Sequence, residues 1–146
     1  MDSNVLRILV FDHAAKDCAY TAKAVGEYFA DRGIPAEVRT FSESDPCVYD
    51  FEDRRKAGAP YHMAFMGADT MRGAEVARHI RTMDEKLPLF LVSEASDMAL
   101  EGFRLRALDY LTKPVSAGAV KEAVGRIPVE YFKGYQAKRN LKKPKK

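Results

Sequence analysis

Apolar positions along the chain switch repeatedly between two periods. Val5–Phe11 (VLRILVF) is a short apolar run rich in β-forming residues, which predicts a buried strand. Cys18, Ala22, Val25 and Phe29 then recur at i, i+4, i+7 and i+11, one stripe of a helix. Gly33 and Pro35 close that helix. Ala36–Phe41 (AEVRTF) alternates as a second strand does, and Ser42 and Ser44 are N-cap candidates for a helix near residues 45–57. Pro46 fits only the start of such a helix. Tyr61–Met66 (YHMAFM) reads as a third strand, and Gly73–Met83 as a third helix with Val76, Ile80 and Met83 on one face. Leu87–Ser93 (LPLFLVS) is a fourth strand, and Ser96–Arg106 a fourth helix with Ala99, Gly102 and Phe103 facing inward. Leu108–Thr112 is a short fifth strand stopped by Pro114. Val120, Ala123, Val124 and Ile127 mark a fifth helix, which Pro128 ends.

Strand–helix units in succession imply a parallel sheet with helices on both faces. Right-handed crossovers reduce the topologies to a doubly wound sheet. Sites in such sheets lie beyond the carboxyl ends of the strands, where the strand order switches. Four such ends carry candidate chemistry: Asp12 and His13 after the first strand, Gly67, Ala68 and Asp69 after the third, Ser93 at the end of the fourth, and Lys113-Pro114 after the fifth. Carboxylates, a hydroxyl and an ammonium meeting in one crevice suit a small anion, phosphate above all. The lysine supplies charge, the serine and backbone amides donate, and a carboxylate holds a hard cation.

The run Ala107-Leu108-Asp109-Tyr110-Leu111-Thr112-Lys113-Pro114, with Asp12 and Ser93 at their strand ends, resembles a response-regulator receiver domain. Ala99–Pro114 (ALEGFRLRALDYLTKP) looks most like the receivers that precede LytTR-type DNA-binding domains, and Glu75–Arg81 after Gly73 is similar to the family's third helix. The resemblance spans about residues 5–127. It implies a flavodoxin-like (βα)5 sheet of strand order 2-1-3-4-5, a place in two-component phosphorelay signalling and transcription regulation, and a cis peptide before Pro114. It also implies roles: Asp12 as an acid of a Mg2+ site, Ser93 as the hydroxyl that meets a phosphoryl oxygen, Lys113 as the neutralising ammonium, and Tyr110 as the switch aromatic. The family's phosphoacceptor is an Asp at the end of the third strand.

Two positions depart from that pattern. His13 stands where a second acid belongs, and Gly67 stands where the phosphoacceptor belongs. The following loop reaches Gly73 about two residues early. Asp69 is the candidate replacement, but two residues of extended chain reach at most roughly 7 Å, and in-line attack needs near-contact placement. Imidazole suits softer metals than Mg2+, so Asp12 alone makes a weak metal site. The expectation is an atypical receiver that is not an enzyme and works through protein contacts with a sensor kinase or output domain. The family further implies a homodimer through the fourth helix, fifth strand and fifth helix, near Arg104, Leu105 and Arg106. The alternatives are a phosphorylatable regulator using Asp69 with Mg2+, and a nucleic-acid-binding regulator. A Ser93-His13-Asp12 triad lacks the Gly-x-Ser-x-Gly elbow, and no glycine-rich phosphate loop follows the first strand. His62 and His79 read as structural or surface residues.

Composition adds a charge asymmetry. The chain has 146 residues and a formal charge of +3. Residues 128–146 carry seven basic side chains and one acid, a charge of +6, which leaves the first 127 residues at −3. The expected organisation is one receiver-like domain over residues 1–127 and a basic extension or linker over residues 128–146. Lys133–Lys146, interleaved upstream with Tyr131, Phe132 and Tyr135, offers counterion release and base stacking to a nucleic acid. A solvated tail, with its aromatics packed on the body, is the expected reading. Apolar residues make up 47% of the chain, but no run approaches the ~18 needed to span a membrane. Met1-Asp2-Ser3-Asn4 is no secretory signal, and Cys18 and Cys47 lack metal-ligand spacing. Free thiols and a cytoplasmic setting are expected.

Overall fold

The computed structural model describes residues 5–95 and 104–132. In chain order these form β1 (Leu6–Phe11), α1 (Ala15–Asp31), β2 (Ala36–Phe41), α2 (Ser44–Lys56), β3 (Met63–Gly67), α3 (Met71–Met83), β4 (Leu89–Ser93), β5 (Asp109–Thr112) and α4 (Ala117–Val124). A 3-10 turn follows over Val129–Phe132. Here α4 is the fifth helix of the sequence pattern, because residues 96–103 of the fourth lie outside the described residues. The strands form one parallel sheet in the order β2-β1-β3-β4-β5, the flavodoxin-like arrangement. Register pairs Phe11 with Met66, Gly67 with Val92, and Ser93 with Thr112, so the carboxyl ends finish level.

The strand period of two divides the core between the two faces of the sheet. Leu6, Ile8, Val10, Phe65, Phe90 and Val92 point to one face, under Cys18, Val25 and Phe29 of α1 and Val120 and Val124 of α4. Leu9, Phe11, Met66, Leu89 and Leu91 point to the other, under Cys47 and Phe51 of α2 and Val76 and Ile80 of α3. The central strands β3 and β4 are buried at every position, as helices on both faces require. Both cysteines are free and buried. Burial, then the charge of Asp50, pushes the Cys47 thiol up to about 12.

Several boundaries differ from the sequence pattern for local reasons. The N-cap position of α2 is Glu43, which makes no side-chain capping bond, so neither Ser42 nor Ser44 caps this helix. Helix α3 begins at Met71, ahead of Gly73, because the Thr70 hydroxyl accepts the Gly73 N–H at 2.9 Å. Strand β3 begins at Met63. His62 stands just before it, donating its N–H to the Arg7 carbonyl at 2.7 Å and accepting the Arg7 N–H on Nδ1 at 2.9 Å. Helix α4 ends at Val124, before Pro128 is reached, while Ile127 remains buried. Beyond it Phe132 is buried, Tyr131 packs on the core, and the Tyr131 hydroxyl donates to the His62 carbonyl. Tyr135 and Lys133–Lys146 lie outside the described residues. Among the described residues, no helix is long and apolar enough to cross a membrane.

Candidate functional site

Asp12 leaves the end of β1 and turns back on itself. Its Oδ1 accepts the Ala14 N–H at 2.9 Å, an Asx turn that leads the chain into α1. The N-cap position is Ala14, so Asp12 shapes the approach to the helix and does not cap it. Its Oδ2 faces Lys113 Nζ at 2.7 Å. Lys113 projects from just beyond β5 behind a cis Lys113–Pro114 peptide, and its side chain is 6% exposed.

Three carboxylates surround that ammonium: Asp12 Oδ2 at 2.7 Å, Asp17 Oδ2 at 2.9 Å and Asp69 Oδ2 at 2.6 Å. The ammonium donates a hydrogen bond to Asp17, and its contacts with Asp12 and Asp69 are ion pairs. Burial works against the Lys113 charge, but the Asp12, Asp69 and Asp17 carboxylates outweigh it and hold the ammonium well above its usual range.

Asp69 therefore lies in the crevice, two residues beyond the strand-end glycine. The Ala68 N–H extends the ladder to the Val92 carbonyl at 2.9 Å, and Thr70 then caps α3, so the loop turns sharply. Asp69 Oδ1 accepts the Ser93 hydroxyl and, at 2.9 Å, the Glu94 N–H. The Ser93 oxygen in turn accepts the Ala95 N–H at 3.0 Å. Partial burial disfavours the Asp69 charge, yet Lys113, Ser93 and the Glu94 amide prevail and hold its carboxyl below the usual range.

Gly67 occupies the strand end with no room beside it. A Cβ added there would lie 2.4 Å from Asp12 Oδ2, so the Asp12 carboxylate fills the space that a side chain at position 67 would enter. A Cβ at Gly73 would lie 2.6 Å from the Gly67 carbonyl oxygen, so α3 packs directly onto the same strand end. Both glycines are thus close-approach positions.

Of the remaining sequence candidates, His13 lines the same crevice and Tyr110 does not. His13 places Nδ1 3.2 Å from the Ser42 carbonyl and sets its ring against the Phe11 edge. It lies on the β2 side, so Ser93, His13 and Asp12 form no triad. Tyr110 stands on the edge strand β5 and is 42% exposed. Among the described residues no group of three or more His, Cys, Asp or Glu is arranged to hold a metal ion. The three carboxylates converge on an ammonium. Around these groups opens a cavity of about 570 Å³.

Asp17 is the site residue the sequence pattern did not single out. An acid in the first turn of a helix is explained by the helix dipole alone, and only its approach to Lys113 reveals the second role. The Glu94 contribution is a backbone amide, for which residue identity carries no signal.

No protein-family model matches the chain, and no curated protein matches it. Solved structures do. The chain is similar to the chemotaxis protein CheY4 of Vibrio cholerae, with TM-score 0.64 and 16% identity over 84% of this chain and 98% of that one. It is similar to a CheY-like receiver domain protein of Methanospirillum hungatei JF-1, with TM-score 0.65 and 15% identity over 88% and 98% of the two chains. A receiver domain protein of Clostridium thermocellum gives TM-score 0.63 and 18% identity over 93% and 98%. The fold is that of CheY-like receiver domains.

Proposed function

We propose that the chain is a receiver-type module of two-component signalling that lacks a conventional phosphoacceptor and acts through protein–protein contacts. The observation that carries this reading is the strand end itself. Gly67 ends β3, where the resemblance to receivers puts the phosphoacceptor, Asp12 fills the space a side chain there would need, and three carboxylates pair with Lys113. An incoming phosphoryl group would compete with three carboxylates for the ammonium. Asp69, the alternative acceptor, has both oxygens engaged, one with Lys113 and one with Ser93 and the Glu94 amide.

The edge strand β5 supports a contact surface. Leu108, just ahead of β5, and Tyr110 on it are 37% and 42% exposed, and Asp109 between them pairs with Arg126 at 3.0 Å. A sensor kinase, an output domain or a second copy of the chain is the partner class, in a cytoplasmic setting. A role in transcription rests on the LytTR-like run Ala99–Pro114.

Incubation with acetyl phosphate and Mg2+, read by intact mass, tests the proposal. The expected result is an unchanged mass. A base-labile mass increase that disappears in Asp69→Ala would overturn it in favour of phosphorylation at Asp69.

A further inference from the structure

We propose that the outer edge of β2 is an interface between two copies of this chain, joined antiparallel about a two-fold axis at Val38, so that the sheet of one copy continues into the other. The inference goes beyond the receiver reading and does not depend on it. It concerns the edge of the sheet opposite β5.

β2 ends the sheet, and among the described residues no strand pairs with its outer side. The ladder to β1 decides which backbone groups face that side. The Leu6 N–H donates to the Pro35 carbonyl at 3.0 Å and the Asp12 N–H to the Phe41 carbonyl at 3.1 Å. These bonds stand at the two ends of a register that pairs Leu6 with Ala36 and Phe11 with Phe41 without a break. Backbone direction alternates along a strand, so Glu37 and Arg39 also turn their N–H and C=O toward β1. Ala36, Val38 and Thr40 turn theirs outward. The strand, AEVRTF, contains no proline or glycine, and a straight edge of this kind is a template for another strand. Side chains alternate as well. Ala36 and Val38 pack on the core under α1, whereas Glu37 and Arg39 stand about half exposed on the face of α2, where Arg54 meets Glu37.

Charge selects both the occupant and the register. With Val38 on the axis, it exchanges N–H and C=O bonds with Val38 of the second copy, and Ala36 does the same with Thr40 of the second copy. Glu37 then falls opposite Arg39 of the second copy at a non-hydrogen-bonded position, where facing side chains stand closest. The two-fold axis makes that ion pair twice. Each pair adjoins the Arg39–Glu37 and Arg54–Glu37 contacts already present within a copy at 3.8 and 3.6 Å. The smallest shifts that still match outward groups with outward groups move the axis to Glu37 or to Arg39. The first sets Glu37 against Glu37 and the second Arg39 against Arg39, like charges directly opposite. The edge is therefore self-complementary in one alignment, as an isologous interface between identical chains requires. The pairing leaves the β5 edge of each copy uncovered.

Sedimentation of the full chain over a concentration series, together with amide hydrogen exchange, tests the proposal. The native chain should pass from monomer to dimer as its concentration rises, and added sodium chloride should weaken the dimer. Within β2 the Ala36, Val38 and Thr40 amides should gain protection with concentration, while the Glu37 and Arg39 amides stay protected throughout. Glu37→Arg and Arg39→Glu should each sediment as a monomer, because each sets like charges opposite one another. An equimolar mixture of the two should restore the dimer, because every facing pair is then opposite in sign. Thr40→Pro removes an outward N–H and no bond to β1. It should also sediment as a monomer, and it carries the test if a charge reversal does not fold. A native chain that stays monomeric up to roughly 1 mM, a dimer indifferent to these substitutions, or a mixture of folded variants that does not reassociate would each overturn the proposal. The acetyl phosphate experiment reads a different property at the other side of the sheet, so either idea can fail alone.

Discussion

Lys113 Nζ lies 2.6 Å from Asp69 Oδ2 although their strands, β5 and β3, are separated in the sheet by β4. The pair spans the carboxyl end of β4 and closes over Ser93. Lys113→Met should therefore do more than remove one contact, since it leaves Asp12, Asp17 and Asp69 facing one another without a cation. Breaking a buried ion pair from one side costs ~3–5 kcal/mol. With one side of the crevice open to solvent, we expect about 2–3 kcal/mol at neutral pH, read by urea unfolding. Asp69 is held below its ordinary carboxyl value in the fold. Its contribution is therefore present above the unfolded value of 3.8 and is lost as pH falls through the lower folded value. The Lys113→Met deficit should shrink on acidification as Asp69 protonates. A deficit constant from neutral to acidic pH would contradict this account.

Restoring a carboxylate at the strand end should fail for a steric reason. The Cβ of Gly67→Ala or Gly67→Asp would stand 2.4 Å from Asp12 Oδ2. Overpacking of this kind costs ~1–3 kcal/mol. Asp12→Ala combined with Gly67→Ala should recover most of that steric part, because the clash partner is gone. The four melting curves of this double-mutant cycle measure the coupling. Additive losses would show that Asp12 is not what excludes a side chain at position 67.

The residues of the notch were legible because the fold was. Apolar runs ending at Phe11, Met66, Ser93 and Thr112 marked four strand ends to within a residue, and a parallel sheet brings such ends to one edge. The conformation of Asp69 was not legible. Chain length set only how far it reached, while its direction depends on the Thr70 cap and the Ala68 ladder bond, both made by the loop itself. The strand-end glycine read simply as a missing acid. Only the fold shows that Asp12 occupies its space, a contact between residues far apart in sequence.

His62 makes the fold sensitive to acid away from the crevice. Its Nδ1 accepts the Arg7 N–H at 2.9 Å and must be unprotonated to do so. Burial, reinforced by the Arg7 charge, lowers its pKa from 6.5 to about 4. The unfolded chain thus takes up this proton first. Stability from His62 is complete above 6.5, declines as pH falls toward 4, and changes no further below that. The loss should be on the order of 1–2 kcal/mol once solvent screening of a half-buried ring is allowed for. His62→Asn keeps an acceptor near the same position and has no proton to gain, so its stability between those two pH values should be flatter than the native chain's. An unchanged slope by chemical denaturation would remove His62 as the cause.

Arg81 holds the segment ahead of β5 in place. Its buried guanidinium donates to the carbonyls of Leu87 and Leu105 at 2.8 Å, Glu85 at 2.9 Å, Asp84 at 3.1 Å and Arg106 at 3.3 Å. These acceptors come from the turn between α3 and β4 and from Leu105-Arg106, where Arg106 adopts a left-handed φ of 56°. A planar fork serves both groups at once, and an ammonium cannot. Arg81→Lys should therefore cost nearly as much as Arg81→Met, about 2–4 kcal/mol for desolvated carbonyls left unpaired. The amide of Leu108, which donates to Leu89 at 2.8 Å, should exchange faster in both variants because its segment is no longer anchored. Arg81→Lys within ~0.5 kcal/mol of the native chain, a shift typical of neutral surface changes, would show that charge alone suffices and that the fork is not what fixes this segment.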